Sequence, residues 1–450
     1  MSAILALALL AGGAGATPPM RARLFASGLS FPVGAVAAPG DSQHLFVVEL
    51  EGRIRTLDPV SGAIAATPFL DIRTQVVKVG DGGLLGICFD PGYATNGYFY
   101  VFYNAAPNPP NDRVLARYHA TPGSGVADAG SATLLMQYPR TIGHNGGWIG
   151  FNPANGYMYL STGDGGTNGT LDAPNNAQTQ TRLAGKILRI DVHGGDDFPA
   201  DPQRNYHIPA SNPFAAGGGA PEVWSSGLRN PWRCAIDGAN GDFYITSNGE
   251  DQRETVYYEP ATSGGARNYG WRCTEGTLCT GLGGCVCGSP AITPPVYEYT
   301  HQVGYSIIGG PVYHGAGIPV LQGKLMFADF VTGQISSLRV LAGQATEVVE
   351  HTPDLGLPGG NAILTIGAFG EDAAGELLVA DFFGGNLYRI VPYSVCPADF
   401  NGVGGLTVQD IFDFLNAWFG ANPRADYNGQ AGITVQDIFD FLGAWFAGCP

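Results

Sequence analysis

The chain has 450 residues, of which 45% are hydrophobic and only 13% charged, and its 68 Gly and 32 Pro are spread along the whole length. That balance excludes a disordered chain and points to many short strands joined by tight turns. A formal charge of −16 repels phosphate backbones, so no nucleic-acid partner is expected.

The chain opens on an apolar run, Ala3 to Ala11, followed by Ala14-Gly15-Ala16. An apolar stretch before a small-x-small site predicts a signal peptide over residues 1–16 and a secreted, extracellular or periplasmic product. The run is too short to cross a bilayer and no other stretch is long enough, so no membrane span is expected.

The middle of the chain repeats one short pattern, a turn followed by a strand that alternates apolar and aromatic residues. The copies begin at His44 (HLFVVELEGRIRTLD), Gly97 (GYFYVFYNA), Gly156 (GYMYLSTGDGG), Gly241 (GDFYITSNGED), Gly323 (GKLMFADFVTGQISSL) and Gly375 (GELLVADFFGGNLYRI). Period-2 alternation of Val, Ile, Tyr and Phe is the strand signal. Six copies, roughly 50 to 85 residues apart, predict four-stranded units that bury their faces by stacking and their edges by closing a ring. The expected fold is therefore all-β, a six-bladed β-propeller over residues 22–393. A β-sandwich or β-helix is the competing reading; the first rarely carries so many similar hairpins and the second has a shorter period. The longest gaps fall between residues 165 and 320, where insertions on one propeller face would build a site.

In an exported chain eight Cys favour disulfides. Cys273, Cys279, Cys285 and Cys287 crowd a Gly-rich loop, Cys396 and Cys449 bracket the C-terminal segment, and Cys88 and Cys234 stand in strand-like stretches. Cys396 is expected to pair with Cys449. Zinc at the loop cluster is the alternative, although no two CxxC spacings support it.

Residues 143 to 276 hold the most distinctive series: GHNGGWIGF, YLSTGDGG, NNAQ, LAGKILRIDVHG, HIPASNPF, PEVWSSGLRNPWR, TSNGEDQRET and NYGWRCTEG. In this order the series resembles the glucose/sorbosone dehydrogenase family, the soluble PQQ-dependent aldose dehydrogenases, and especially its hedgehog-interacting-protein-like branch. The resemblance implies oxidation of a sugar substrate at its anomeric carbon, with hydride passing to PQQ. It implies that His144 is the catalytic base, a role suited to an imidazole with an ordinary pKa of about 6.5. Arg229 and Asn230 would lie beside the quinone carbonyls, the guanidinium stabilising charge on the reduced oxygen. Gly249 and Glu250 would hold the cofactor's calcium through backbone carbonyls. Asp81, Asp164, Tyr269 and Trp271 would line the cofactor and sugar pocket.

Each residue also has a structural reading. A histidine among glycines often serves as a turn residue, Arg229 and Arg233 as loop ties, Asp164 as a turn former, and Trp148, Trp232 and Trp271 as core. The chain departs from the dehydrogenase pattern too. Asp81 stands where an amide is usual, Gly143 precedes the histidine, and neither ADFVTGQ nor ILTIGAFGED carries the cations that hold PQQ carboxylates. The alternative function is thus a non-catalytic propeller that binds a carbohydrate or a protein.

After Pro392 the pattern changes. DFNGVGGLTVQDIFDFLNAWF from Asp399 recurs as DYNGQAGITVQDIFDFLGAWF from Asp426, at an offset of 27. Each copy reads as an oxygen-rich loop and a helix, with Val408, Ile411, Phe412, Leu415 and Phe419 on one apolar face, and Val435, Ile438, Phe439, Leu442 and Phe446 repeating it. The segment 396–450 resembles a dockerin, a small α-helical module with EF-hand-like calcium loops. That resemblance implies ligands at Asp399, Asn401, Thr407 and Asp410, then at Asp426, Asn428, Gln430, Thr434 and Asp437. Val403 lacks a side-chain oxygen, so calcium is expected in the second loop more than in the first. A cohesin-like or cell-surface partner is the implied target. A helical hairpin stapled by a disulfide, with no metal, is the plainer reading.

Overall fold

The computed structural model describes residues 20–106, 112–139, 143–167, 169–355, 363–392, 396–401, 406–428 and 432–448. The expected signal peptide, Gln430 and the Cys449 half of the expected C-terminal disulfide lie outside the described residues.

The alternating stretches fold into four-stranded antiparallel sheets in chain order. Leu84–Phe89, Tyr98–Asn104, Arg113–Ala120 and Ala127–Tyr138 form one; Ile149–Phe151, Met158–Thr162, Lys186–Ile190 and Val223–Ser226 form the next. Cys234–Ile236, Phe243–Ser247, Arg253–Glu259 and Tyr297–Thr300 follow, then Ile307–Val312, Leu325–Asp329, Ile335–Leu341 and Gln344–Glu350. An eight-stranded sheet joins the two ends of this β domain. Its strand Met20–Ala26 pairs antiparallel with Asn386–Pro392, Met20 opposite Pro392. At its middle, Pro32–Val36 pairs parallel with Ile366–Glu371 through Ala35 opposite Gly370 and Val36 opposite Glu371. Hydrogen bonds therefore close edges that would otherwise template aggregation.

The first strands of successive units touch in sequence. Pro32–Val36 meets Leu84–Phe89, which meets Ile149–Phe151, then Cys234–Ile236, Ile307–Val312 and Ile366–Glu371, which returns to Pro32–Val36. They surround a cavity of about 480 Å³ lined by Val33, Leu85, Ile149, Arg233, Gly309 and Phe369. Between sheets, aromatic rings fill the wedge: Phe46, Phe69, Phe89 and Phe99 have centroids 4.4 to 5.9 Å apart.

Arg233 acts as a tie, and its partners are backbone carbonyls. Its Nη2 donates to Val33 O at 2.5 Å and Leu85 O at 3.0 Å, and its Nη1 to Trp232 O at 2.8 Å. One guanidinium thus spans the inner strands of separate sheets. Replacing Arg233 with Ala leaves buried carbonyls unpaired and opens a cavity, a loss of about 3 kcal/mol. Chemical denaturation should show a lower midpoint at unchanged slope.

Cys273 pairs with Cys285 and Cys279 with Cys287, so the zinc alternative for this loop falls. Cys88 and Cys234 are free thiols. Among the described residues no helix is long and apolar enough to cross a membrane.

The C-terminal segment forms the helices Val408–Phe419 and Val435–Ala447, each opened by a capping box: Thr407 with Asp410, and Thr434 with Asp437. Phe414 and Phe441 are fully buried and stack with centroids 4.2 Å apart. Trp418 Nε1 donates to Thr434 O at 2.8 Å and Trp445 Nε1 to Thr407 O at 3.0 Å, so each repeat braces the other's cap. The single apolar face expected from the sequence splits in two. Ile411, Phe414, Leu415 and Trp418 pack inward, whereas Val408, Phe412 and Phe419 are exposed, as are Val435, Phe439 and Phe446. The apolar arc on each helix is wider than one partner helix can cover.

Candidate functional site

His144 precedes the inner strand Ile149–Phe151, and Asp164 follows its neighbour Met158–Thr162. Antiparallel pairing, with Ile149 opposite Leu160, returns the chain so that the two side chains meet. His144 Nδ1 and Asp164 Oδ1 are 2.7 Å apart, and both residues are buried. Asp164 Oδ1 also accepts Gly166 N–H at 2.8 Å, and Oδ2 accepts Trp271 Nε1–H at 2.8 Å. Fixed on both oxygens, the carboxylate favours the tautomer with the proton on Nδ1, leaving Nε2 as the acceptor.

His144 itself has φ of +40°, a region non-glycine residues rarely occupy. Its carbonyl is held by the buried Arg113, whose Nη2 donates at 2.9 Å. Gly163 packs on the same carbonyl so closely that a Cβ there would overlap it. A strained histidine pinned by its surroundings is a recurrent feature of reactive sites.

The segment after Val223–Ser226 supplies the other half. Arg229 O accepts the Asp164 N–H at 2.7 Å, and Asn230 Oδ1 accepts the Gly146 N–H at 3.0 Å. These bonds bring Arg229 and Asn230 against the His144 hairpin. Arg229 Nε and Nη2 both donate to Glu250 Oε2, at 2.8 and 2.5 Å. Its guanidinium carbon lies 5.7 Å from the Trp271 ring centroid. His144, Asp164, Trp271, Arg229 and Glu250 thus form one continuous cluster. The Arg229–Glu250 pair is nearly fully buried, a neutral couple whose attraction offsets much of its desolvation.

The other expected site residues occupy supporting positions. Asp81 accepts from Asn145 N at 3.1 Å and Nδ2 at 2.6 Å, so it orients the neighbour of the histidine. Tyr269 is not brought into the cluster: its hydroxyl donates to Glu259, and its ring packs on Tyr257 at 4.4 Å. The loop at Gly249 and Glu250 is shaped by acids. Gly249 N–H donates to Glu254 Oε1, and Glu275 Oε1 accepts the amides of Glu250, Asp251, Gln252 and Arg253 at 2.7 to 3.0 Å. Glu275, Arg113 and Glu259 were not anticipated from the sequence. Glu275 carries one faint signal, a lone carboxylate within the cysteine-rich loop.

In the C-terminal loops, Asp410 and Asp437 are hydrogen-bond hubs. Asp437 accepts from Tyr427 N, Asn428 N, Thr434 N and Thr434 Oγ1; Asp410 accepts from Asn401 N, Thr407 N and Thr407 Oγ1. Asn401 and Asn428 donate to Asp413 and Asp440. Asp426 Oδ1 is buried with no hydrogen-bond partner among the described residues. An orphaned carboxylate oxygen in the second loop fits a hard cation. Asp399 is also buried, and its carbonyl accepts from Arg23.

A mostly β, propeller-like chain with a buried His–Asp pair at the ends of two paired strands defines the class. The glucose/sorbosone dehydrogenase family model matches residues 29–356, and the chain belongs to that family. It is 34% identical over 321 residues to HIPL2 protein of Arabidopsis thaliana, covering 59% of this chain and 44% of the relative. It is 30% identical over 400 residues to Hedgehog-interacting protein of Homo sapiens, covering 81% of this chain and 51% of that protein. The chain thus spans about half the length of these curated relatives. In fold it is similar to the PQQ-bound aldose sugar dehydrogenase of Streptomyces coelicolor, with TM-score 0.61 and 22% identity over 84% of this chain and all of that one.

The hydrogen-bonded His144–Asp164 pair, with Arg229 and Asn230 bonded beside it, is a polar arrangement that would suit the reactive end of PQQ. They fit its carboxylate end poorly, because the nearby cations are committed. Arg229 serves Glu250, Arg113 serves the His144 carbonyl, and Lys186 donates to the carbonyls of Asn176, Ala177 and Ala184 at 2.7 to 2.9 Å. Burial pushes Lys186 down to about 7. Among the described residues no three His, Cys, Asp or Glu side chains stand together as a metal site, so a calcium there would rely on backbone oxygens.

Proposed function

We propose that the chain is a secreted six-bladed β-propeller oxidoreductase of the PQQ-dependent aldose dehydrogenase type, carrying a dockerin-like module at residues 396–450. The observation that supports this most is the His144–Asp164–Trp271 relay, with Asp164 held on both oxygens beside Arg229. PQQ, when bound, supplies the hydride acceptor. His144 Nε2 takes the proton from the anomeric hydroxyl of the sugar. Asp164 stabilises the imidazolium that results, and Trp271 and Gly166 keep Asp164 in place. Arg229 and Asn230 would lie beside the quinone of a bound PQQ, and the Gly249 and Glu250 carbonyls would hold its calcium. The second loop of the module would take calcium at Asp426, whose Oδ1 is left unpaired, and the exposed Val408, Phe412 and Phe419 would meet a cohesin-like partner.

The committed cations and Asp81 favour a second reading, a propeller that binds a glycan or protein without catalysis. Titration of the apo protein with PQQ and calcium, followed by absorbance, separates the two. Saturable binding with aldose-dependent dye reduction supports the enzyme. No PQQ binding at millimolar calcium, together with retention of a carbohydrate on a glycan array, supports the second reading.

A further inference from the structure

A second cavity, of about 1110 Å³, lies between the propeller and the C-terminal module, far in sequence from the His144 cluster. Its wall gathers guanidiniums from three segments. Arg23 on Met20–Ala26 stands directly opposite Arg389 on Asn386–Pro392 in the strand pair, and Arg424 comes from the turn before the second loop. Like charges directly opposite in a sheet are destabilising, and this chain carries 38 acidic against 22 basic residues. Three arginines on one wall need a physical reason.

Packing explains their placement only in part. Arg23 and Arg424 lie over the Phe400 ring, at 5.4 and 4.5 Å, and Arg389 over Phe25 at 4.2 Å. Each also reaches the backbone: Arg23 to Asp399 O, Arg424 to Phe400 O, and Arg389 to Pro59 O, with Arg389 also 3.3 Å from Asp372 Oδ2. Stacking leaves N–H groups unanswered. Arg23 Nη1, Arg389 Nε and Arg424 Nε are buried with no hydrogen-bond partner among the described residues. Leaving such charged donors unmade is expensive.

The carboxylates on the wall hydrogen-bond elsewhere, although Asp413 still attracts Arg424 electrostatically. Asp58 accepts from the amides of Val60 and Ser61 and from the Ser61 hydroxyl. Asp413 accepts from Gln409 and Asn401. Two amides, Asn416 and Asn422, also face the cavity, next to Gln409 and Asn401, which donate to Asp413; most of the remaining lining is apolar, such as Leu24, Val60, Ile64 and Val391. Primary amides pair with hydroxyls, and guanidiniums pair with carboxylate or sulfate oxygens. The volume lies just above the usual range of about 300–1,000 Å³ for ligand sites, far beyond a single oxyanion.

We infer that this junction cavity binds an acidic oligosaccharide, its carboxylate or sulfate groups held by Arg23, Arg389 and Arg424 and its hydroxyls by the Asn416 and Asn422 amides. The site is independent of PQQ and of the His144 chemistry. A saccharide held there would lock the module against the propeller.

The test uses the full chain with calcium present throughout. Calorimetric titration compares trigalacturonate, a sulfated disaccharide, a neutral trisaccharide and sodium sulfate. One acidic probe should bind at one site per chain and weaken as salt rises. Arg424→Gln should reduce its affinity about tenfold or more, with Arg424→Lys losing less. Whichever acidic probe binds more tightly identifies the anion. Should Arg424→Gln fail to fold, Arg23→Gln carries the same expectation. Absence of binding by both acidic probes, equal affinity in a folded arginine variant, or sulfate or the neutral sugar binding as tightly, overturns the assignment.

Discussion

On the proposed dehydrogenase reading, replacing His144 with Ala should lower aldose-dependent dye reduction about 10³-fold, equivalent to about 4 kcal/mol of transition-state stabilisation, while PQQ binding persists. The histidine is the group in the cluster whose acceptor nitrogen is set up by a fully engaged carboxylate. Asp164→Asn preserves size yet presents an amide to Nδ1, which allows the wrong tautomer, and should approach the same loss. Trp271→Phe removes one of two supports on Asp164, since the Gly166 amide remains. Its loss should be smaller, about tenfold, and should appear in kcat more than in KM. The graded series His144, Asp164, Trp271 is what a relay predicts and a merely structural cluster does not. A His144→Ala protein with wild-type turnover would remove the base assignment altogether.

The strands were legible because their signal is local. GYFYVFYNA became Tyr98–Asn104, GYMYLSTGDGG became Met158–Thr162 and GDFYITSNGED became Phe243–Ser247. Alternation is a property of neighbours, so it survives in a single sequence. The pairing of Met20–Ala26 with Asn386–Pro392 has no such trace, because only closure of the chain on itself creates it. The same division runs through the site. His144, Asp164 and Arg229 were singled out from motifs resembling a family, and their side chains and backbone bonds meet. Glu275 gathers four amides and Arg113 pins the histidine carbonyl, yet each is an ordinary charged residue until two loops converge. Tyr269, which the resemblance to the family placed at the pocket wall, is buried with its hydroxyl on Glu259, a contact that no local pattern encodes. In the helical repeats, periodicity identified the apolar residues but not which of two adjacent faces the small core would cover.

That small core carries the largest stability effect expected in the molecule. Phe414→Ala should remove about 3–5 kcal/mol from the C-terminal module, most or all of the stability a domain of this size holds. Phe414 is fully buried, stacked on Phe441, and edge-on to Phe400 at 5.3 Å and Tyr427 at 6.2 Å, so three aromatic rings lose their common contact at once. Calorimetry should show the module's transition vanish while the propeller's main transition stays, because the ring of sheets does not use Phe414. Phe441→Ala should behave the same way, since the two repeats cross-brace through Trp418 and Trp445. Phe412→Ala should leave the transition in place, because that side chain is exposed. Added calcium should raise the module's transition in the wild-type protein, and Asp426→Ala should abolish that rise, because the orphaned Asp426 oxygen is the group a cation would satisfy. Loss of the propeller transition along with the module's in Phe414→Ala would mean that the two parts fold as one unit, the junction arginines then serving as a structural seam between them.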